Sequence, residues 1–360
     1  LSKIISLGTA VPEHKHLQTE ILQFMQQAYA LDAEENRKLR FLYNKSGIAS
    51  RYSVIPDYSR PMPEWEFYPQ HQTLDPFPSL ELRMHWYQRH AGPLSETGIR
   101  NCAQGFIDPR EITHLITVSC TGMSAPGLDL ELMERLGLRP NLYRTSLNFM
   151  GCYAAIHALK LADAICKTDD GARVMLVCTE LCTLHFQREP TPDHIASTLL
   201  FGDGSAAALV TPDTFPSKGL RLTHFYSEVV PKGKRDMAWE LSSTGFLMTL
   251  SGYVPELIEA DFDRLVLQAL QQAGLCKEDI GQWCIHPGGK RIVEAIQKCL
   301  GLEAEALQAS YDILRSYGNM SSPTLLFVLK ELMRQETKGP VFAAAFGPGL
   351  TMETFTAAYA

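Results

Sequence analysis

Three residues in this sequence stand where chemistry is easy to build: Cys152, His286 and Asn319. Cys152 closes the run Asn148-Phe149-Met150-Gly151-Cys152, after a strand predicted over Leu142 to Leu147. Ala154, Ala155, Ala158, Leu159, Leu161 and Ala162 then recur at helical spacing, so a buried helix starts beside the sulfur. Unpaired N–H groups and the positive end of the helix dipole favour thiolate there, which would make the sulfur a nucleophile. The other reading is a small buried apolar residue. His286 ends the apolar run before Pro287-Gly288-Gly289, whose glycines let a substrate or another backbone approach closely. Asn319 precedes a Pro-initiated helix, and standing alone it reads as a capping or Asx-turn residue.

The elements that must position these residues follow an α/β rhythm. Helical patterns cover Gln18 to Tyr29 and Ala33 to Tyr43. A surface loop with six prolines is expected from Ile55 to Pro78, ordered by its aromatics. Ser79 to Cys102 reads as helix interrupted at Gly92-Pro93. Strands over Ile112 to Ser119, Leu142 to Leu147, Arg173 to Cys178 and Ala206 to Val210 alternate with helices over Leu128 to Leu136 and Ala154 to Ile165. After Pro212, Pro216 and Gly219 the rhythm repeats: helix Pro255 to Ala273, strand Gln282 to His286, helices Arg291 to Leu300 and Pro323 to Arg334, and strands Pro340 to Phe346 and Leu350 to Ala358. This is a layered α/β chain with two halves, 1–215 carrying Cys152 and 216–360 carrying His286 and Asn319.

The 360 residues, 45% hydrophobic and 20% charged, suffice for a large core, and the net charge of −7 gives no reason to expect nucleic acid or an anionic membrane. No apolar run is long enough to span a bilayer. The N-terminus, which begins at Leu1, lacks a basic-then-apolar secretory pattern. Nine cysteines without a CxxC pair suggest reduced thiols in a cytoplasmic protein and no metal site. Phe201-Gly202-Asp203-Gly204 and Phe346-Gly347-Pro348-Gly349-Leu350 match neither the P-loop nor the dinucleotide fingerprint, so no nucleotide cofactor is expected.

The order Cys, His, Asn with wide spacing also fits a papain-like cysteine hydrolase, but the sequence around Cys152 lacks that family's signature. Five motifs in one register point elsewhere. Asn148 to Cys152, Phe201 to Gly204, Ile285 to Gly289, Gly318-Asn319-Met320-Ser321-Ser322 and Phe346 to Leu350 together resemble the type III polyketide synthases, the family of chalcone synthase. The resemblance spans Ile4 to Glu353. Met237-Ala238-Trp239-Glu240, Gly245-Phe246-Leu247-Met248 and Ser251-Gly252-Tyr253-Val254-Pro255 are closer to bacterial members than to plant ones.

The resemblance implies a thiolase fold, five-layered αβαβα with two similar halves, in a homodimer. It implies that Cys152 holds the acyl chain from an acyl-CoA, with His286 lowering its pKa. His286 and Asn319 would then donate to the carbonyl of malonyl-CoA as it decarboxylates. Iterative condensation and cyclisation to a resorcinol, phenol or pyrone would follow, with no cofactor beyond the CoA substrates. Phe201 matches an aromatic gate, and Met248 stands where a second gate usually carries Phe, two residues from Phe246. Cys120, Thr121, His185, Ser197, Trp239, Ser321 and Gly349 match cavity positions; Cys120 is either a second reactive thiol or small lining. Lys38 and Lys45 match basic CoA positions, Phe41 beside Arg40 stands at a third, and Lys290 and Arg291 follow Gly288 and Gly289 at the tunnel. Ala125 replaces a methionine that reaches into the partner subunit. The rivals are a ketoacyl-acyl-carrier-protein synthase III, which performs one condensation and needs an acyl carrier protein, and a non-catalytic thiolase-fold subunit. The Gly347-Pro348-Gly349-Leu350 ending favours the polyketide family over the first, and the complete triad argues against the second.

Overall fold

The computed structural model of the chain describes residues 1–230, 236–252, 254–335 and 339–360; Tyr253 of the bacterial-like motif lies outside the described residues. In chain order the first half runs β1 (Ser2–Ala10), β2 (His14–Leu17), α1 (Gln18–Tyr29), α2 (Ala33–Lys45), β3 (Ser50–Ser53), α3 (Leu80–Ala103), β4 (His114–Ser119), α4 (Leu128–Leu136), β5 (Tyr143–Asn148), α5 (Ala154–Thr168), β6 (Val174–Leu181), α6 (Pro192–Leu200) and β7 (Asp203–Pro212). The second half continues with β8 (Leu220–Val229), β9 (Met237–Ser242), β10 (Gly245–Leu250), α7 (Val254–Gln272), β11 (Gln282–Ile285), α8 (Lys290–Leu300), α9 (Gln308–Tyr317), α10 (Ser322–Arg334), β12 (Val341–Gly347) and β13 (Thr351–Tyr359).

The sheet order β11-β12-β13-β8-β1-β7-β6-β4-β5 contains the same arrangement twice. Outward from the centre, β1, β7, β6 and β4 pair antiparallel, antiparallel and parallel, and β8, β13, β12 and β11 repeat that sequence. Among the described residues, strands of the two sets pair where Ser2 to Ile4 meet Leu220 to Leu222. Three apolar layers show how the sets are covered. Ile99, Leu132 and Leu136 pack α3 and α4 on one face of the first set; Phe262, Val266, Val293 and Ile296 pack α7 and α8 on the second. Between them lie α5 and α10, whose Ala154, Ala155, Ile156, Leu159, Leu325, Val328 and Leu329 share a core with strands of both sets. Strands β6, β7 and β12 are covered on both faces, so they read as continuous buried runs.

One local expectation changed in the fold. Pro93 does not interrupt the helix read over Ser79 to Cys102: α3 is continuous and keeps Pro93 inside it. Packing of its Ile99 and Cys102 side against the sheet outweighs the lost N–H donor. The proline-rich stretch after β3 is a surface loop anchored by its aromatics: Tyr58, Trp65, Phe67, Tyr68 and Leu74 are buried against α1 and α3, while Pro61, Pro63, Glu64 and Gln70 are exposed. The buried Asp57 carboxylate accepts the N–H groups of Glu66, Phe67 and Tyr68, replacing the ladder bonds that this backbone lacks.

Candidate active site

Cys152 sits on the turn between β5 and α5, where Gly151 adopts φ +79. A Cβ on Gly151 would lie 2.2 Å from Pro348 Cδ, so the cysteine turn and the Phe346-to-Leu350 turn can touch only with glycine at 151. Phe149, Ser321 and Leu350 are non-glycine residues with positive φ, three of five among the described residues, and all flank this junction. Such conformations cost of order 1–3 kcal/mol each and persist where packing over-determines them.

The sulfur opens onto a cavity of ≈ 700 Å³ that is also lined by Cys120, Thr121, Cys182, Phe201, Trp239, Met248, His286, Gly288, Asn319 and Ser321. His286 arrives from the end of β11, and Asn319 from the turn between α9 and α10. The fold thus gathers all three residues on one wall-to-wall space. Asn319 is fixed by two bonds: its Oδ1 accepts Ser321 N–H at 2.8 Å, and its Nδ2 donates to Gly288 O at 3.2 Å. That leaves one amide hydrogen for the cavity, where the Asn319 amide and the Ser321 hydroxyl each act to lower the pKa of the Cys152 thiol against burial. His286 is buried, and neither ring nitrogen has a hydrogen-bond partner among the described residues. An imidazole with both nitrogens unspent in a cavity is a group waiting for a partner.

Electrostatically the site differs from the expectation of a preformed thiolate. Burial pushes the Cys152 thiol up to about 11, with the nearby Glu180 carboxylate adding to the rise against the Ser321 and Asn319 side chains. Burial also pushes His286 down to about 3. Desolvation therefore outweighs the helix start, and the resting pair is a neutral thiol and a neutral imidazole. Moving the proton from sulfur to imidazole creates both charges together, and each then stabilises the other in a low dielectric.

A second chamber of ≈ 560 Å³ adjoins the first and shares Cys182, Phe201, Trp239 and Met248 with it. His185 and Ser197 line this second chamber. The wall between them is a hairpin in which Trp239 pairs with Met248 across β9 and β10. Phe246, Met248 and Leu250 share one strand face by the two-residue period. Met248 borders both chambers, Phe246 the second and Leu250 the first. Trp239 donates its indole N–H to Cys120 O at 2.7 Å. His185 donates from Nε2 to Thr121 O at 2.7 Å, accepts Phe246 N–H on Nδ1 at 3.2 Å, and stacks on the Phe246 ring at 4.3 Å. Cys120 accepts Gly151 N–H on its sulfur at 3.1 Å, and burial holds its thiol well above the ordinary value.

The other sequence-matched positions lie outside these chambers. Lys38 is exposed and pairs with Glu34 at 2.7 Å, and Lys45 is exposed at the end of the same helix, α2. Lys290 packs its side chain over Gly47, two residues from Lys45, which places a further cation beside that helix end. Gly289 faces Leu200, and Gly349, with φ +76, belongs to the turn after Pro348 and lines neither chamber.

Glu180 was not anticipated. It is the next-to-last residue of β6 and fully buried; its Oε2 accepts Cys120 N–H and the Thr121 hydroxyl, each at 2.8 Å, and its Oε1 accepts the Ser322 hydroxyl at 2.8 Å. Burial raises its carboxyl to about 7. A carboxylate closing the apolar run Val174 to Thr179 was the available signal. Among the described residues no group of three His, Cys, Asp or Glu side chains is arranged to hold a metal ion.

Comparison with known proteins agrees with this geometry. The model for chalcone and stilbene synthases matches residues 1–214 with its N-terminal domain and 221–358 with its C-terminal domain. The "Probable polyketide synthase 1" of Dictyostelium discoideum is 28% identical over 362 residues, covering 98% of this chain but only 11% of its own length. PKS-I from the brown alga Ectocarpus siliculosus superposes with a TM-score of 0.93 at 26% identity, covering 100% of this chain and 98% of its own. The C-terminal type III polyketide synthase domain of Steely1, a type I/III hybrid from Dictyostelium, gives 0.91 at 26% identity, with 99% of each chain covered. With both halves matched and the thiolase arrangement present twice, the chain belongs to the chalcone and stilbene synthase family, acyltransferases known as type III polyketide synthases.

Proposed function

We propose that this enzyme loads an acyl group from acyl-CoA onto Cys152 and extends it iteratively with malonyl-CoA, using His286 and Asn319 as the donors that drive decarboxylation. The observation that carries the reading is the His286 ring, buried with both nitrogens unpartnered on the cavity that Cys152 and the Asn319 amide share. In loading, the Cys152 proton passes to His286 as the carbon–sulfur bond forms, and the CoA thiolate leaves with a proton. In extension, the bond between the malonyl methylene and its carboxylate breaks, CO₂ leaves, and the electron pair becomes an enolate. Its oxygen receives hydrogen bonds from His286 and Asn319, which act most strongly on the charge that develops there. The enolate carbon attacks the acyl thioester and frees Cys152 to take the longer chain back.

Trp239 and Met248 divide the space into two apolar-walled chambers, which supports an aliphatic starter and a resorcinol, phenol or pyrone product. Lys38, Lys45, Gly288 and Gly289 are assigned to CoA, with Lys290 over Gly47 as the added cation. Phe201, Cys120, Thr121, His185, Ser197 and Ser321 are assigned to the substrate path, and Gly349, which lines neither chamber, is not. The bacterial-type assignment rests on the motifs around Trp239 and Met248. The boundary between halves is placed at 215/216, in the link between β7 and β8. A homodimer is supported by β5, a sheet-edge strand whose Tyr143 is 71% exposed, an edge that pairing with a second copy would cover. No described helix is long and apolar enough to cross a membrane, and a cytoplasmic location is proposed.

The test measures free CoA and product mass with malonyl-CoA and a panel of acyl-CoAs, for wild type beside Cys152→Ala. Fatty acyl starters should release several CoA per starter, and the product should vanish in the variant. One condensation that needs a carrier protein would replace this reading with a ketoacyl synthase. Efficient coumaroyl-CoA turnover with inert fatty acyl-CoAs would remove the aliphatic starter.

A further inference from the structure

In the shared wall of the two chambers, the backbone carrying Phe201 crosses the backbone carrying Asn319. The two residues form a parallel bridge: Asn319 N–H donates to Leu200 O and Gly202 N–H to Asn319 O, both at 2.9 Å. This crossing belongs to neither flanking helix, and the sheet does not hold it. One side chain spans it. Arg51 on β3, 3% exposed, donates from Nη1 to Phe201 O and from Nε to Gln18 Oε1 at 3.0 Å. Gln18 in turn donates to Leu199 O at 3.0 Å, so the same pair grips the end of α6. The Arg51 stem lies across Gly318, where a Cβ would stand 2.8 Å from Arg51 Cδ and 2.7 Å from Leu200 O, and where φ is +68. The residue before Asn319 is therefore glycine for the sake of this arginine and this crossing.

A buried guanidinium is an expensive way to hold a fold. Among the described residues Arg51 has no carboxylate at ion-pair distance, and its hydrogen-bond partners are neutral oxygens. An apolar side chain of similar volume commonly serves stability as well or better. What an apolar chain cannot do is aim two donors in a fixed fork, one at the Phe201 carbonyl and one at the Gln18 side chain that holds Leu199 O.

We propose that Arg51 is a positioning residue for decarboxylation: by clamping Phe201 O and filling the space under Gly318, it fixes the direction of the Asn319 amide. The proposal rests on the role given to Asn319 above. Asn319 keeps one amide hydrogen for the substrate only because its other bonds, to Gly288 O and Ser321 N, hold it in one orientation. Those bonds are short-range and follow the backbone. A shift of the crossing by a fraction of an ångström turns that hydrogen away. Cys152 stands on a different turn, between β5 and α5, so its acylation should depend on the crossing less than decarboxylation does.

The experiment separates the two half-reactions in Arg51→Met, Arg51→Lys, Gln18→Met, Asn319→Ala and the double variant R51M/N319A. Starter loading is read by intact-protein mass, and decarboxylation by CO₂ released from malonyl-CoA. Arg51→Met should load within about threefold of wild type while decarboxylation kcat falls about 10- to 100-fold, the scale expected for a misplaced catalytic group, with KM for malonyl-CoA little changed. Arg51→Lys should recover part of the loss, and Gln18→Met should fall in the same direction by less; these two carry the test if Arg51→Met does not fold. R51M/N319A should be no worse than N319A, because both act through one amide. Equal loss of loading and decarboxylation, or additive losses in the double variant, would show a general structural role and overturn the proposal. If N319A is impaired and the Arg51 variants are not, Arg51 alone is misread. If N319A decarboxylates normally, the Asn319 reading falls and the Arg51 route falls with it.

Discussion

The two chambers each contain a buried histidine that burial holds neutral, pushed down to about 3, yet the two rings are in opposite states. His185 spends both nitrogens, on Thr121 O and Phe246 N–H, and lies flat on an aromatic ring. His286 spends neither among the described residues. A pKa alone would rank them as equals. Hydrogen-bond saturation separates a histidine that builds a wall from one that awaits a reactant, since an unmade buried bond is costly and persists where something else makes it.

Substitution should therefore affect the two rings in opposite ways. His286→Leu is expected to lower malonyl-CoA decarboxylation about 10²- to 10³-fold with little change in melting temperature, because it removes a donor but breaks no bond. His185→Leu should leave decarboxylation within about threefold and cost on the order of 2–4 kcal/mol of stability, since two backbone groups lose their partners. Calorimetry beside the CO₂ assay reads both; a His185 variant that is stable and decarboxylation-dead would erase the distinction.

Glu180 sharpens the comparison as a third buried titratable group, fully hydrogen-bonded behind the catalytic chamber. Its carboxyl is raised from 4.5 to about 7 in the fold, so over that interval the unfolded chain gives up its proton first. Its contribution is complete below about 4.5 and is lost as pH rises through about 7. In Glu180→Gln that fall should disappear, a difference on the order of 3 kcal/mol between the ends of the interval, measured by denaturant melts across pH. Equal slopes in both proteins would mean the carboxyl is ionised throughout.

The smallest effect is expected at the exposed cations. Lys38→Ala with Lys45→Ala should raise KM for acyl-CoA by about two- to tenfold, leave kcat unchanged, and lose its effect at high salt. A kcat defect would connect the rim to the chambers.

The helices over Gln18 to Tyr29, Leu128 to Leu136 and Ala154 onward were legible because their apolar spacing matches 3.6 residues per turn, and the central strands because both faces are covered. The hairpin of β9 and β10, the helix α6 and the strand β8 were not. Their residues are half-buried, and their pattern follows the chambers and neighbouring strands instead of one core face. Glu180 and Arg51 escaped for the same reason: each is a charge whose partners are distant in sequence.

The sequence by itself determined the family, the order of nucleophile and donors, and the two-half rhythm. Those depend on local residue types and on motifs that recur in register. The tertiary structure decided which histidine is unspent, that the resting thiol is neutral, that Trp239 and Met248 divide the space, and that Arg51 grips the crossing beneath Asn319. Desolvation and hydrogen-bond saturation are sums over neighbours that only the folded chain brings together, so no stretch of sequence contains them.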